Sequence, residues 1–133
     1  MNKFCILFFL ILVFSSCITT VNIPDNMSPA EIIQRGQEAL DKNRYNVAIQ
    51  YYNALYERNR NIIDLIITAE YHIAFINYKQ GKYDLARHEL NAVLEYYNSP
   101  DQELLPQHFK RLCHIVLNSI DEKEKQRKRL FRR

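Results

Sequence analysis

The chain has 133 residues, with 18 Lys or Arg against 15 Asp or Glu and a formal net charge of +3. That length leaves room for one domain. The charge is uneven: residues 17–120 carry ten Lys or Arg and twelve Asp or Glu, a balance of −2, whereas residues 121–133 carry seven and three, a balance of +4. A basic end of this kind suits contact with anionic lipid head groups or an acidic partner. Nucleic acid is not an expected partner, because the first residues read as an export signal.

Lys3 supplies a short positive region, Phe4 to Phe14 is an unbroken apolar run of eleven, and Ser15-Ser16-Cys17 ends it with small residues. Crossing a bilayer takes about 20 apolar residues, so the run reads as a signal peptide and not as a membrane span. Phe14-Ser15-Ser16-Cys17 resembles the lipobox of bacterial lipoproteins, with Phe14 where leucine is usual. The resemblance implies cleavage after residue 16 and lipidation of Cys17, and two or three acyl chains would anchor the protein firmly. With Cys5 removed and Cys17 acylated, Cys113 is the remaining thiol, and no internal disulfide is expected. It falls in an apolar helical pattern, where cysteine behaves as a small core residue.

Residues 17–27 mix Thr, Asn, Pro24 and Asp25 without a sustained period and read as a tether. Ser28-Pro29-Ala30-Glu31 is a helix start: Ser28 as N-cap, Pro29 in first position, Glu31 in third. A first helix is expected from about Pro29 to Lys42, and its Gly36 suggests close approach of another helix. A second runs from about Tyr45 to Arg58, with Ala48, Tyr52 and Leu55 on one face. After the polar break Arg58-Asn59-Arg60-Asn61 comes a third, from about Ile62 to Gln80, the most apolar of the set. A fourth, from about Tyr83 to Tyr97, is closed by Asn98-Ser99-Pro100-Asp101. The last starts near Asp101 or Pro106 and continues to about Lys125, on a stripe of Leu105, Phe109, Leu112, Val116 and Ile120. Residues 28–121 then form the helical domain and residues 122–133 a basic tail.

The chain repeats itself. Gly36 pairs with Ala74, Tyr45 with Tyr83, Ala48 with Ala86, Ala54 with Ala92 and Leu55 with Val93, all at a separation of 38. Each copy has a polar break holding Asn43 or Gly81, residues that tolerate a left-handed backbone at a helix end. A small residue, an aromatic and an alanine in this order resemble the tetratricopeptide repeat, whose period is about 34. The match is best over Ala69 to Leu94, through Ala74, Gly81, Tyr83, Ala86 and Leu94. Glu70 departs from it where a large apolar residue is usual, Asn77 replaces a tyrosine, and Arg35 replaces a leucine. The expected fold is all-α: two repeats of antiparallel helix pairs, closed by a capping helix because one repeat cannot bury its own apolar face.

No catalytic arrangement competes with this reading. His72, His88, His108 and His114 lack a metal-ligand spacing, and no Gly-rich phosphate loop is present, so neither an enzyme nor a cofactor is implied. In the repeat family the first helix of each pair lines a face that binds peptides or partner helices. By position that face takes Ile33, Gln37, Leu40 and Asp41 from the first copy and Tyr71, Phe75, Tyr78 and Lys79 from the second. Tyr71, Phe75 and Tyr78 share one helical stripe.

Ser28 to Ile33, Gly36, Tyr45, Ala48-Ile49, Tyr51-Tyr52 and the second copy ending at Leu94-Glu95-Tyr96-Tyr97 are similar to the opening repeats of the BamD family. That family is the lipoprotein subunit of the outer-membrane β-barrel assembly machinery. The resemblance covers about Ser28 to Pro100, and its carboxy-terminal repeats have no obvious counterpart here. It implies a lipid-anchored protein on the periplasmic face of the outer membrane. The implied partners are the periplasmic domains of the barrel subunit and nascent barrel segments. The alternative is a lipoprotein scaffold or pilotin for another envelope, pilus or secretion complex.

Overall fold

The structure, a computed structural model, describes residues 19–132, so Cys17 and the expected signal at residues 1–16 lie outside the described residues. Among the described residues the chain forms five α-helices and no strand: α1 (Pro29–Asp41), α2 (Tyr45–Arg58), α3 (Ile63–Lys79), α4 (Tyr83–Glu95) and α5 (Gln107–Phe131). Short 3-10 turns occupy Tyr96–Asn98 and Gln102–Leu104. The expected all-α class and the first four helices are found within two residues of their expected ends.

Local chemistry sets the boundaries. Ser28 Oγ accepts the Glu31 N–H (3.3 Å), while Glu31 Oε2 accepts the Ser28 N–H (2.9 Å), so two amides without a helical partner are satisfied reciprocally. At the far end of α1 the backbone turns left-handed at Asn43 (φ 55°), and at the end of α3 it does so at Gly81 (φ 76°). Arg44 N–H donates to the Ala39 carbonyl (2.8 Å) and Asn43 N–H to Leu40 (2.9 Å). Lys82 N–H donates to Asn77 (2.9 Å) and Gly81 N–H to Tyr78 (2.9 Å). Both are Schellman closures, and they fold α1 on α2 and α3 on α4 as adjacent packed pairs.

α3 is shared between two cores. Its Ala69 and Ile76 join Ile32, Leu40, Tyr52 and Leu55 of the first pair. Its Ile67, Tyr71 and Ala74 join Leu90 and Val93 of α4 with Phe109, Cys113, Val116 and Ile120 of α5. Ile67 and Ile76 are fully buried, and each such side chain contributes about 1.5–3 kcal/mol. Cys113 is buried as expected, which pushes its thiol up to about 12.

α5 begins beside the end of α4, where Tyr97 donates its hydroxyl to the Pro106 carbonyl (2.8 Å). Farther along it passes the start of α4, where Arg87 meets Asp121 (2.8 Å) and Glu124 (3.1 Å). The helix passes without a break through residues 121–122, where the sequence divides a domain from a tail, and continues to Phe131. Arg87 holds those turns, and the residues beyond are strong helix formers. Residues 19–27 of the expected tether are bonded to α2. Val21 N–H donates to Gln50 Oε1 (2.9 Å), and Arg58 donates to the Pro24 (2.9 Å) and Ile23 (2.8 Å) carbonyls, so the segment lies along α2.

Gly36 fulfils its expected role. A Cβ there would sit 2.9 to 3.3 Å from the ring of the fully buried Tyr52. In the second pair the positions 38 later hold Ala74 and the smaller Leu90, so the size of one residue is matched to the other. Gly36→Ala gains up to about 1 kcal/mol of helix propensity but overpacks a closed ring, which costs about 1–3 kcal/mol. Denaturant unfolding should show a net loss of about 1 kcal/mol from this variant. In a Tyr52→Leu background the same substitution should be neutral or stabilising, and an equal loss in both backgrounds would refute the matched pair.

Candidate partner-binding site

The stripe expected to meet a partner divides. Tyr71 is only 6% exposed and lies against Phe109 of α5, ring centroids 5.1 Å apart. Burial pushes its phenol up to about 12. Leu40 also belongs to a core, in the buried row Ile32, Gly36, Ala39 and Leu40 of α1. These two assignments are corrected: α5 lies against α3 and covers Tyr71, and Leu40 falls on the inward row of its own helix.

The remaining six residues reach the surface. Phe75 and Tyr78 are half-buried, their rings 5.9 Å apart, and Tyr78 continues to Tyr83 at 6.0 Å. Ile33 is half-buried against the first core. Gln37, Asp41 and Lys79 are exposed, with Gln37 Nε2 donating to Asp41 Oδ1 (2.8 Å). Phe75, Tyr78 and Tyr83 make a short run of aromatic edges on α3 and α4, and Gln37 and Asp41 make a polar pair on α1. Such aromatic edges can hold apolar side chains of a partner.

His72 is a packing residue. Its ring stacks on Tyr52 at 4.5 Å and stands edge-on to Phe109 at 5.9 Å. Nδ1 lies 2.7 Å from the Thr68 carbonyl and so carries the proton, while burial lowers the ring's pKa below its ordinary value. The neutral imidazole is thus a wedge between α2, α3 and α5. Among the described residues no group of three His, Cys, Asp or Glu could hold a metal ion.

A second feature lies on the other side of α3. A cleft of about 360 Å³ is lined by Tyr56 and Glu57 of α2, Glu70 and Ile73 of α3, and His88 and Glu89 of α4. Glu70 Oε1 accepts the Tyr96 hydroxyl (3.3 Å), and burial raises its carboxyl above the usual range. The buried Asn77 donates Nδ2 to both Glu89 oxygens, at 3.1 and 2.8 Å. Glu70 and Asn77 are two of the positions at which the sequence departs from the repeat pattern it resembles. Those departures were the available signal, and each marks a polar bond bridging α3 to α4 or to the turn after it.

No family model matches the sequence, and no solved structure matches it. An uncharacterized protein of Treponema pallidum (strain Nichols) is 28% identical over 99 residues, which cover 74% of this chain and 40% of that protein. The chain thus spans about two fifths of the length of this relative.

Glu70 makes the cleft sensitive to pH. The folded chain binds its proton more tightly than the unfolded chain does, so stability falls as pH rises from the ordinary value of 4.5 through the raised one. Glu70→Gln keeps an oxygen for Tyr96 and removes that loss. Its melting temperature at pH 7 should rise by a few degrees, with the gain vanishing below about pH 4. A gain that persists in acid would show that desolvation of the carboxylate is not its source.

Proposed function

We propose that this chain is a non-enzymatic lipoprotein adaptor of outer-membrane β-barrel assembly, a short tetratricopeptide-type stack in which α5 caps two repeats. In this reading Cys17 carries the lipid, the helices stand on the periplasmic face of the outer membrane, and the protein resembles BamD in its opening repeats. Its partners are the periplasmic domains of the barrel subunit and nascent barrel segments. The observation that carries the adaptor reading is the run of Phe75, Tyr78 and Tyr83, rings that touch one another yet stay partly exposed. Two matched helix joints 38 residues apart support the repeat architecture.

Partner capture separates surface from core. Phe75→Ala with Tyr78→Ala should reduce co-purification with the barrel subunit after mild detergent extraction at least tenfold, with cooperative unfolding retained. Tyr71→Ala should instead cost about 3–5 kcal/mol, as the truncation of a buried aromatic ring does. Undiminished capture by the double variant would remove the aromatic run from the site. Repeated recovery of a different envelope complex would replace barrel assembly by the scaffold or pilotin role.

A further inference from the structure

The last turns of α5 leave the body of the protein and carry an excess of positive charge. Beyond Glu124 every described residue is exposed. From residue 123 to residue 132 stand Lys123, Lys125, Arg127, Lys128, Arg129 and Arg132 with one acid, Glu124, which Arg87 already engages at 3.1 Å. Lys125 reaches back to Glu122 (2.9 Å), and the other five cations have no ionic partner among the described residues. At the end of the helix Leu130 and Phe131 are 74% and 85% exposed. From Glu124 to Phe131 the helix extends roughly 10 Å, at about 1.5 Å per residue.

The direction of this projection matters. Arg87, which holds Asp121 and Glu124, lies in the first turns of α4, next to the joint at Gly81. Thr19 lies at the same end: its carbonyl accepts from Gln50 Nε2 (2.8 Å), and it shares a cleft with Asn43 and Arg44 of the first joint and Gln80 of the second. Thr19, two residues after Cys17 in the sequence, thus lies at the end from which the basic helix emerges.

We propose that the distal turns of α5, from Lys123 to Arg132, dock on an anionic phospholipid surface. The cations sit among the head groups, and Leu130 and Phe131 enter the boundary with the acyl chains. A basic cluster is drawn to such a surface, and adjacent apolar side chains add burial that a purely ionic contact lacks. An acyl chain at the same end raises the effective concentration of the tip at the membrane. The orientation rests on the reading of Cys17 as a lipid anchor, whereas the docking surface belongs to α5 alone.

The sequence contains no tryptophan, so one introduced residue reports its own surroundings. In the full chain, Phe131→Trp is compared with Leu104→Trp; Leu104 is 82% exposed in the turn Gln102–Leu104, at the opposite end. With vesicles of phosphatidylglycerol and phosphatidylcholine, emission from the Phe131→Trp chain should shift to shorter wavelength. Brominated acyl chains should quench it several-fold more than they quench the Leu104→Trp chain. Phosphatidylcholine alone, 0.5 M salt, or Arg127→Glu with Lys128→Glu and Arg129→Glu should each weaken the response. Equal quenching at both positions, no response from Phe131→Trp, or a response that appears only with an acidic protein would overturn the proposal. Repeating the vesicle arm with Cys17→Ala separates the two readings: a tip response retained by this variant leaves the docking surface standing whether or not Cys17 carries a lipid, a response lost with it would overturn the proposal, and the mass of the mature chain, with or without acyl groups, decides the anchor by itself.

Discussion

Burial of α3 on two sides is the constraint on which the rest of the structure depends. A helix that is apolar over most of its circumference cannot lie on a surface, so α3 requires the first helix pair on one side and α4 with α5 on the other. Ile76 and Ala69 serve one core, Ile67 and Ala74 the other, and Phe75 touches both. Removing either layer would expose half of the most apolar element in the chain.

The same demand explains why α5 is an integral part of the core. Its row Phe109, Cys113, Val116 and Ile120 completes the second core, and Phe109 lies on Tyr71. A ring that would otherwise be open to partners is thereby used for stability, and the aromatic surface begins only one helical turn later, at Phe75. The two layers also differ in how they reach close packing. The first sets Gly36 against a large tyrosine, and the second places Ala74 in a core with leucine, so one backbone arrangement accommodates two side-chain solutions.

Elements governed by short-range chemistry were legible in the sequence: the capping box at Ser28, the left-handed joints at Asn43 and Gly81, and the buried face of α2. Each follows from a few neighbouring residues. Features set by contacts distant in the chain were not. Neither the docking of residues 19–27 through Gln50 and Arg58 nor the continuation of α5 from Lys125 to Phe131 has a local periodicity to announce it. The candidate site divides along the same line: the exposure of Gln37 and Lys79 follows from helix position, whereas the fate of Tyr71 depends on where a helix more than 30 residues away comes to rest. Glu70 and Asn77 were visible only as departures, and their bonds to Tyr96 and Glu89 supply the reason.

If two-sided burial of α3 organises the protein, α5 must share the stability of the helices it covers. Native-state hydrogen exchange of the α5 amides from Lys110 to Ile120 tests this most directly. The expected result is protection equal to that of α3 and α4, with exchange only through global unfolding. Rapid exchange of α5 through a local opening, while α3 and α4 remain protected, would make α5 a detachable flap and return Tyr71 to the partner-binding face.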